Sequence, residues 1–361
     1  MRRWLMSLLL LLAAAAPAHA LRVTTYNLLD YPNFTLAGRQ PHFRTVMAAL
    51  DTDVLMVQEL KTAAGADSFL HVLKATWPAK VWKGGAGTFI ATTESALYYD
   101  SLLVTHSNLV ALATGGPRLA LVAVIRPHGY KATASQFRVY SLHLKAGNGA
   151  ITPSDSTTRR VECTTIRNHM NAAPVGTNLI VLGDMNFYGA WEGGYIRLTE
   201  SQANNTGRMQ DPISMTATWQ SPSNAIHHTQ CPCNTSGCTA GFSGGGMDDR
   251  FDMLLASTNL FNGEGLDVVP GLLPGGYGAF GNDGFHYNDN IDSNTNFAVG
   301  NVVATALRLS SDHLPVIMTL QLPARVASAH ALAFGDAIVG GTASANLSVG
   351  NSAPLPGDEL D

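Results

Sequence analysis

Short apolar runs alternate with amphipathic stretches along most of this chain. Leu21 to Asn27, Val54 to Glu59, Ala96 to Tyr99, Leu119 to Ile125, Phe137 to His143, Leu179 to Gly183, Phe251 to Ala256 and Leu314 to Leu320 are short and apolar, which predicts strands. Phe43 to Leu50 and Thr157 to Met170 carry a helical spacing instead. In the second helix Val161, Ile166 and Met170 are placed to form one apolar face, with Ser154 or Asp155 as its cap.

The pattern dissolves twice, from about Thr199 to Asp249 and from Pro270 to Ala298, into Asn, Ser, Gly and Thr. Strand-like runs resume after each gap, so these are long loops within a domain, and long ordered loops tend to carry function. After Leu322-Pro323 the character changes again. Ala324 to Asp361 is rich in Ala, Gly and Ser, and its L-A-F-G-D-A-I-V-G-G resembles the opening strands of immunoglobulin-like bacterial cell-surface repeats, here cut short. That segment suggests cell-surface association.

At the other end, residues 1–20 read as a secretory signal peptide: Arg2 and Arg3, an apolar stretch from Leu5 to Ala16, and the small-x-small site Ala18-His19-Ala20. The expectation is an exported chain, secreted, surface-held or periplasmic, with no transmembrane segment after cleavage. Loss of the leader leaves 20 basic side chains against 26 acidic ones, a net charge of about −6 with His neutral. A stoichiometric nucleic-acid binder would be basic. An enzyme that meets phosphate through a metal and a local cleft is not excluded. Of the four cysteines, Cys231, Cys233 and Cys238 crowd into C-P-C-N-T-S-G-C beside His227 and His228. A loop-stapling disulfide involving Cys238 is expected over a zinc site, with the pairing left open.

Polar motifs punctuate the strand-like runs. V-T-T-Y-N ends at Asn27, V-L-M-V-Q-E at Glu59, and S-L-H-L-K places His143 at a strand end. L-I-V-L-G-D-M-N puts Asp184 and Asn186 just past a strand, while R-F-D and S-D-H-L-P put Asp252, Asp312 and His313 just before one. Strands of opposite direction bring such positions to a shared rim. The collected oxygen donors suit Mg²⁺, Mn²⁺ or Ca²⁺ better than a thiolate-loving metal. Lys145 is placed to meet a phosphate. Arg159 and Arg160 could do so too, or lie on a solvated helix face.

Taken in order, T-Y-N, Q-E, S-L-H-L, G-D-M-N, R-F-D and S-D-H-L-P resemble the endonuclease/exonuclease/phosphatase superfamily, which includes pancreatic-type deoxyribonucleases, over about Leu21 to Leu322. G-D-M-N-F-Y and H-Y-N-D-N resemble its secreted bacterial nucleases. The resemblance implies an α/β fold, a four-layer α/β sandwich of two packed, mostly antiparallel or mixed β-sheets flanked by helices, as a catalytic domain over residues 21–323. It implies metal contacts from Asn27, Glu59 and Asp312. It implies catalytic roles for His143 and His313, with Asp252 orienting His313, Asp184 acting on the attacking water and Asn186 contacting phosphate oxygens. Glu94 in E-S-A-L-Y-Y would match the carboxylate paired with His143.

The function implied is a secreted, metal-dependent phosphodiesterase, a DNA or RNA endonuclease with nucleic acid as substrate. A sphingomyelinase-like lipid phosphodiesterase is the alternative on the same core, with the aromatics Tyr277, Phe280, Phe285 and Tyr287 as the loop to watch. A non-catalytic surface module is the third reading. Its motivation is the tail, and the full set of motifs speaks against it.

Overall fold

A computed structural model describes residues 20–33, 36–147, 153–215, 218–234, 238–239, 241–328, 332, 334 and 339–353. The predicted signal peptide, apart from Ala20, lies outside the described residues. The chain begins with β1 (Leu21–Tyr31), α1 (Leu36–Leu50), β2 (Val54–Leu60), α2 (Ala63–Thr76), β3 (Trp82–Lys83), β4 (Phe89–Ile90), β5 (Ser95–Asp100), β6 (Val104–Leu112), β7 (Ala120–Pro127) and β8 (Phe137–His143). It continues through α3 (Pro153–Asn171), β9 (Asn178–Asp184), α4 (Gly193–Thr199), β10 (Met209–Gln210), β11 (Asp252–Ser257), β12 (Asp267–Val268), β13 (Tyr277–Ala279), α5 (Gly300–Ser310) and β14 (Val316–Gln321).

Two mixed sheets result. One runs β12-β14-β1-β2-β5-β3, with β13 beside β14 and β4 beside β5; the other runs β10-β11-β9-β8-β7-β6. The central pairs, β1 with β2 and β8 with β9, are parallel, and the outer pairs antiparallel. Strand side chains alternate between faces, and here both faces are covered. Val54 and Met56 meet Ile180, Leu182 and Leu254 between the sheets. Leu55 and Val57 point outward into a core with Phe43, Phe69 and Leu307 from α1, α2 and α5. On the far side, Leu179 and Val181 pack under Cys163, Ile166 and Met170 of α3. Helix, sheet, sheet, helix is the expected four-layer α/β sandwich.

Two sequence expectations need correction. Val161 is 47% exposed. The inward face of α3 instead carries Arg159, Glu162 and Arg167 beside its apolar residues, all fully buried, because these charges find partners that periodicity cannot reveal. Helices α2, α4 and α5 lie outside the pattern-based expectations. In α5 the paired Val302-Val303 mimics a strand start, and burial of Ala304 and Leu307 beside the first sheet settles the helix. Helix α2 is capped by Thr62, whose hydroxyl accepts from Gly65 N at 2.9 Å.

The two long loops wrap the rim shared by the sheets. Cys233 and Cys238 form a disulfide in the first, and Cys163 and Cys231 are buried free thiols. In the tail, β15 (Val326–Ser328) pairs antiparallel with β16 (Val349–Asn351). Much of the expected immunoglobulin-like segment between them falls outside the described residues. None of the described helices is long and apolar enough to cross a membrane.

Leu182 sits fully buried between the sheets. Leu182→Ala should lower unfolding free energy by about 2–5 kcal/mol, since the surrounding strands cannot collapse onto the void. Urea denaturation measures it, and a loss below about 1 kcal/mol would contradict the inter-sheet core as the main source of cohesion.

Candidate active site

Register assembles the first half of the site. In the parallel β8/β9 pair His143 lies opposite Asp184, and in the antiparallel β9/β11 pair Asp252 lies opposite Asp184. Three strands of one sheet therefore present His143, Asp184 and Asp252 in a row. Gly183 makes this pairing close: its φ is +130°, and a Cβ there would fall 1.9 Å from Leu142 O. That is why the motif reads G-D.

The other sheet contributes from the ends of β1 and β2. Asn27 is fully buried; its Oδ1 accepts from Leu29 N at 2.9 Å. That contact turns its Nδ2 toward Glu59 Oε1 at 3.0 Å and Asp184 Oδ2 at 3.1 Å. Asn27 was expected to present oxygen to a metal; in this geometry it bridges two carboxylates as a donor. Glu59 Oε2 accepts from Asp30 N at 2.9 Å. Glu59 and Asn186 both sit in the left-handed region, at φ 56° and 52°, a strain that persists where surroundings over-determine the backbone.

The segment before β14 closes the ring. His313 Nδ1 lies 2.7 Å from Asp252 Oδ2, and its Nε2 lies 3.8 Å from Asp184 Oδ2. From the opposite side His143 Nε2 lies 3.6 Å from Asp184 Oδ2 and 3.8 Å from Glu59 Oε1. Both imidazoles thus converge on one carboxylate. Asp312 stands beside them, Oδ1 4.0 Å from His313 Nε2, while its Oδ2 accepts from Ser243 N at 3.0 Å. Asn186 bonds back to Leu144 O through Nδ2 at 3.3 Å.

No protein-family model matches the chain, and no curated protein matches it. Solved structures do. The human Nocturnin catalytic domain with bound sulfate anion superposes at a TM-score of 0.51 and 16% identity, over 85% of this chain and 96% of that one. TDP2 of D. rerio, complexed with single-strand DNA product, gives 0.51 and 14% over 83% and 98%. A conserved Enterococcus faecalis protein described as functionally unknown gives 0.50 and 14% over 83% and 99%. The chain shares the α/β-sandwich fold of these proteins. Identities this low carry the fold alone, so the chemistry of the site rests on its own residues.

Within this fold the two imidazoles differ sharply. Burial pushes His143 down to about 4 against the opposing pull of Asp184. Burial acts on His313 in the same sense, but the Asp252 and Asp184 carboxylates outweigh it and hold His313 well above its usual range. Burial raises Asp184 against both imidazoles. The two rings are thus shifted in opposite directions, the separation that acid and base assignments require. Gln230 Nε2 lies 2.8 Å from His313 Nε2; as placed this amide nitrogen donates to the ring, whereas a doubly protonated ring requires the amide turned so that its oxygen faces Nε2. Gln230 sits in an aperiodic loop, T-Q-C-P-C, and sequence reasoning had no signal for it.

Glu94 departs from expectation. It accepts from Lys61 Nζ at 2.9 Å and Arg118 Nε at 3.2 Å. Burial opposes its ionisation, yet these two cations hold its carboxyl below the ordinary value. Among the described residues His143 Nδ1 has no hydrogen-bond partner, so the expected Glu94 to His143 pair is absent. Lys145, expected to meet phosphate, pairs with Asp155 at 2.9 Å.

Two groups of side chains have the spacing of a metal site: Glu59, His143 and Asp184, and Asp184, Asp252 and His313, with the ligand atoms in each within 4.8 Å of one another. The donors fit a hard divalent cation. Carboxylates outnumber cationic side chains there, and Asp312 Oδ1 and Asp252 Oδ1 are buried with no hydrogen-bond partner among the described residues.

Behind the site, Glu162 of α3 accepts from Lys145 N at 3.0 Å and so fixes the chain just after His143. Burial pushes its carboxyl up to about 7, against the Lys145 amide, Arg118 and Arg159. An acid whose folded value is raised is favoured in the folded state when neutral. Its contribution is therefore lost as pH rises from about 4.5 to about 7 and is flat above, a decline on the order of 3 kcal/mol. Glu162→Gln should match wild-type stability near the lower limit and exceed it at about pH 8. Melting curves across that range test this; a constant offset would show that Glu162 ionises freely in the folded protein.

Proposed function

We propose that this chain is an exported, metal-dependent phosphodiester hydrolase whose substrate is nucleic acid, cleaved with little sequence preference. The observation that carries the reading is the convergence of His143 and His313 on Asp184 from opposite sides, with Asp252 behind one imidazole. Phosphodiester hydrolysis needs an in-line water, neutralised non-bridging oxygens and a protonated leaving group. Glu59, Asp184 and Asp312 would hold a divalent cation, Mg²⁺ or Mn²⁺, which when bound neutralises phosphate charge. Asp184, in the centre of the row, accepts a hydrogen bond from water and orients it. His313 Nε2, with Asp252 fixing Nδ1, holds a proton toward the phosphate. His143 Nε2, which faces Asp184 and Glu59, and the Asn186 side chain suit contacts to non-bridging oxygens. The D. rerio TDP2 complex with single-strand DNA product and the sulfate bound by the Nocturnin domain agree with this reading by analogy of fold. The domain limits 21–323, the export signal and secretion belong to the proposal on sequence grounds.

A lipid phosphodiesterase is the second reading, and one observation favours it. Phe285 and Phe297 are 76% and 74% exposed and pack edge to face at 5.8 Å. They line a mostly apolar cavity of about 650 Å³ with Leu272 and Leu273. Tyr277 and Phe280 line the same cavity but are buried.

Purified protein should nick plasmid DNA with Mg²⁺ or Mn²⁺ and lose all activity in chelator. Intact DNA and RNA under every metal, with phosphocholine released from sphingomyelin vesicles, would transfer the assignment to lipid. His313→Gln is the sharper test. It keeps a donor near Asp252, whereas His313→Ala strands a buried carboxylate. A general acid–base group contributes roughly 100- to 10,000-fold, so His313→Gln should lose at least about 100-fold in rate with a melting temperature close to wild type. A folded variant keeping more than about a tenth of the rate would contradict the role.

A further inference from the structure

The segment that leaves Asp184 and Asn186 carries a second, unassigned feature. Glu192 and Arg159 are both fully buried, joined by Nε to Oε2 at 2.9 Å and Nη2 to Oε1 at 2.8 Å. On the site side of this pair, Arg159 Nη1 donates to Lys145 O at 2.8 Å, and Glu192 Oε1 accepts from Tyr188 N at 3.1 Å. Beside this pair, at the neighbouring residues Arg160 and Gly193, lies a concavity of about 370 Å³ lined also by Trp191, Ile196, Arg197 and Glu200. Trp191 is 46% exposed and Ile196 42%. Arg160 is exposed, and no described carboxylate pairs with it. Arg197 pairs with Glu200 at 2.8 Å, yet its Nε is buried without a partner among the described residues. Gly193 admits Arg160 to the concavity, since a Cβ there would meet Arg160 Cδ at 2.9 Å.

An open indole beside two guanidinium groups is chemistry for a base and its phosphates. Stacking on an aromatic face needs no particular base, and Arg adds charge in a planar, stackable form. The setting is an acidic protein, so this is a local feature and not part of a general basic surface. Trp191 is five residues past Asn186, at most roughly 18 Å away along extended chain. That lies within a few nucleotides of a strand passing the catalytic row. A duplex hides its base faces, so a single-stranded or frayed segment fits better.

We propose that this concavity binds the nucleic-acid strand a few nucleotides from the scissile phosphate, with Trp191 stacking on a base and Arg160 and Arg197 meeting flanking phosphates. The inference rests on the nucleic-acid reading above, and its test separates the two. Binding of a fluorescent ~12-nucleotide thymidine oligomer, long enough to span both places, is measured in chelator, where nothing is cleaved. Trp191→Ala and Arg160→Gln should each raise Kd about tenfold, while Trp191→Phe, which keeps a ring, stays within about threefold. With metal, cleavage of the oligomer by Trp191→Ala should show a raised KM, and hydrolysis of bis(p-nitrophenyl) phosphate, too short to reach the concavity, should stay unchanged. Folded variants with wild-type Kd overturn the inference, as does a wild type that does not bind the oligomer. A wild type that binds through Trp191 but cleaves no nucleic acid with any metal overturns the nuclease reading and leaves the strand site standing.

Discussion

Asp184 is 2% exposed at the end of β9, and a carboxylate taken out of water must be met by donors or opposite charge. Here the compensation comes from both sheets. Asn27 from β1 donates to it, the Asn186 backbone N–H donates to its other oxygen at 3.1 Å, and the imidazoles of His143 and His313 approach it as well. One strand register places His143 and Asp252 next to it, and the packing of the second sheet delivers Asn27 and Glu59. If the sheets slid relative to one another, this carboxylate would lose its Asn27 donor. Site geometry and sheet packing are thus one constraint.

Buried cations keep the loops in place around that centre. Arg39 is fully buried, with no carboxylate bonded to it among the described residues; its guanidinium donates to Leu28 O, Leu29 O, Asn33 O and Ser310 O. It thereby ties the turn after Asn27 to the residue preceding Ser311-Asp312-His313, and Ser311 Oγ adds a 2.7 Å bond to Asn27 O. Arg250 does similar work through a bidentate pair with Asp211, at 2.7 and 2.8 Å, just ahead of Asp252. Arg159 and Glu192 bind the chain after His143 to the chain after Asn186. Such pairs add little net stability against well-packed apolar residues, but removing one partner is costly. Their effect is to give each loop a single arrangement.

Strands were the most legible elements, because Val54 to Leu60 and Asn178 to Asp184 are apolar on both faces and bounded by polar motifs. Helices were less so. The α3 pattern suggested Val161 as an inward residue, and tertiary pairing put Arg159 and Glu162 inward instead. Short α5 carries a strand-like valine pair that only its neighbours override. The motif residues Asn27, Glu59, His143, Asp184, Asn186, Asp252, Asp312 and His313 were readable as a set, since each follows or precedes a strand-like run.

By itself the sequence determined which residue types stand at strand ends, and hence that carboxylates, amides and imidazoles gather on one rim. That information is local: it lies in period and adjacency. Which of them touch was decided by the tertiary structure. Glu94 lies in a motif that resembles a histidine partner, but Lys61 and Arg118, distant in sequence, draw its carboxylate away from His143. Gln230 reaches His313 across 83 residues from an aperiodic loop. Asn27 turns its nitrogen to the carboxylates because Leu29 N claims its oxygen. The opposite pKa shifts of His143 and His313 follow from burial and from neighbours supplied by separate strands. No pattern along one chain segment encodes those distances, because they arise only when the two sheets pack.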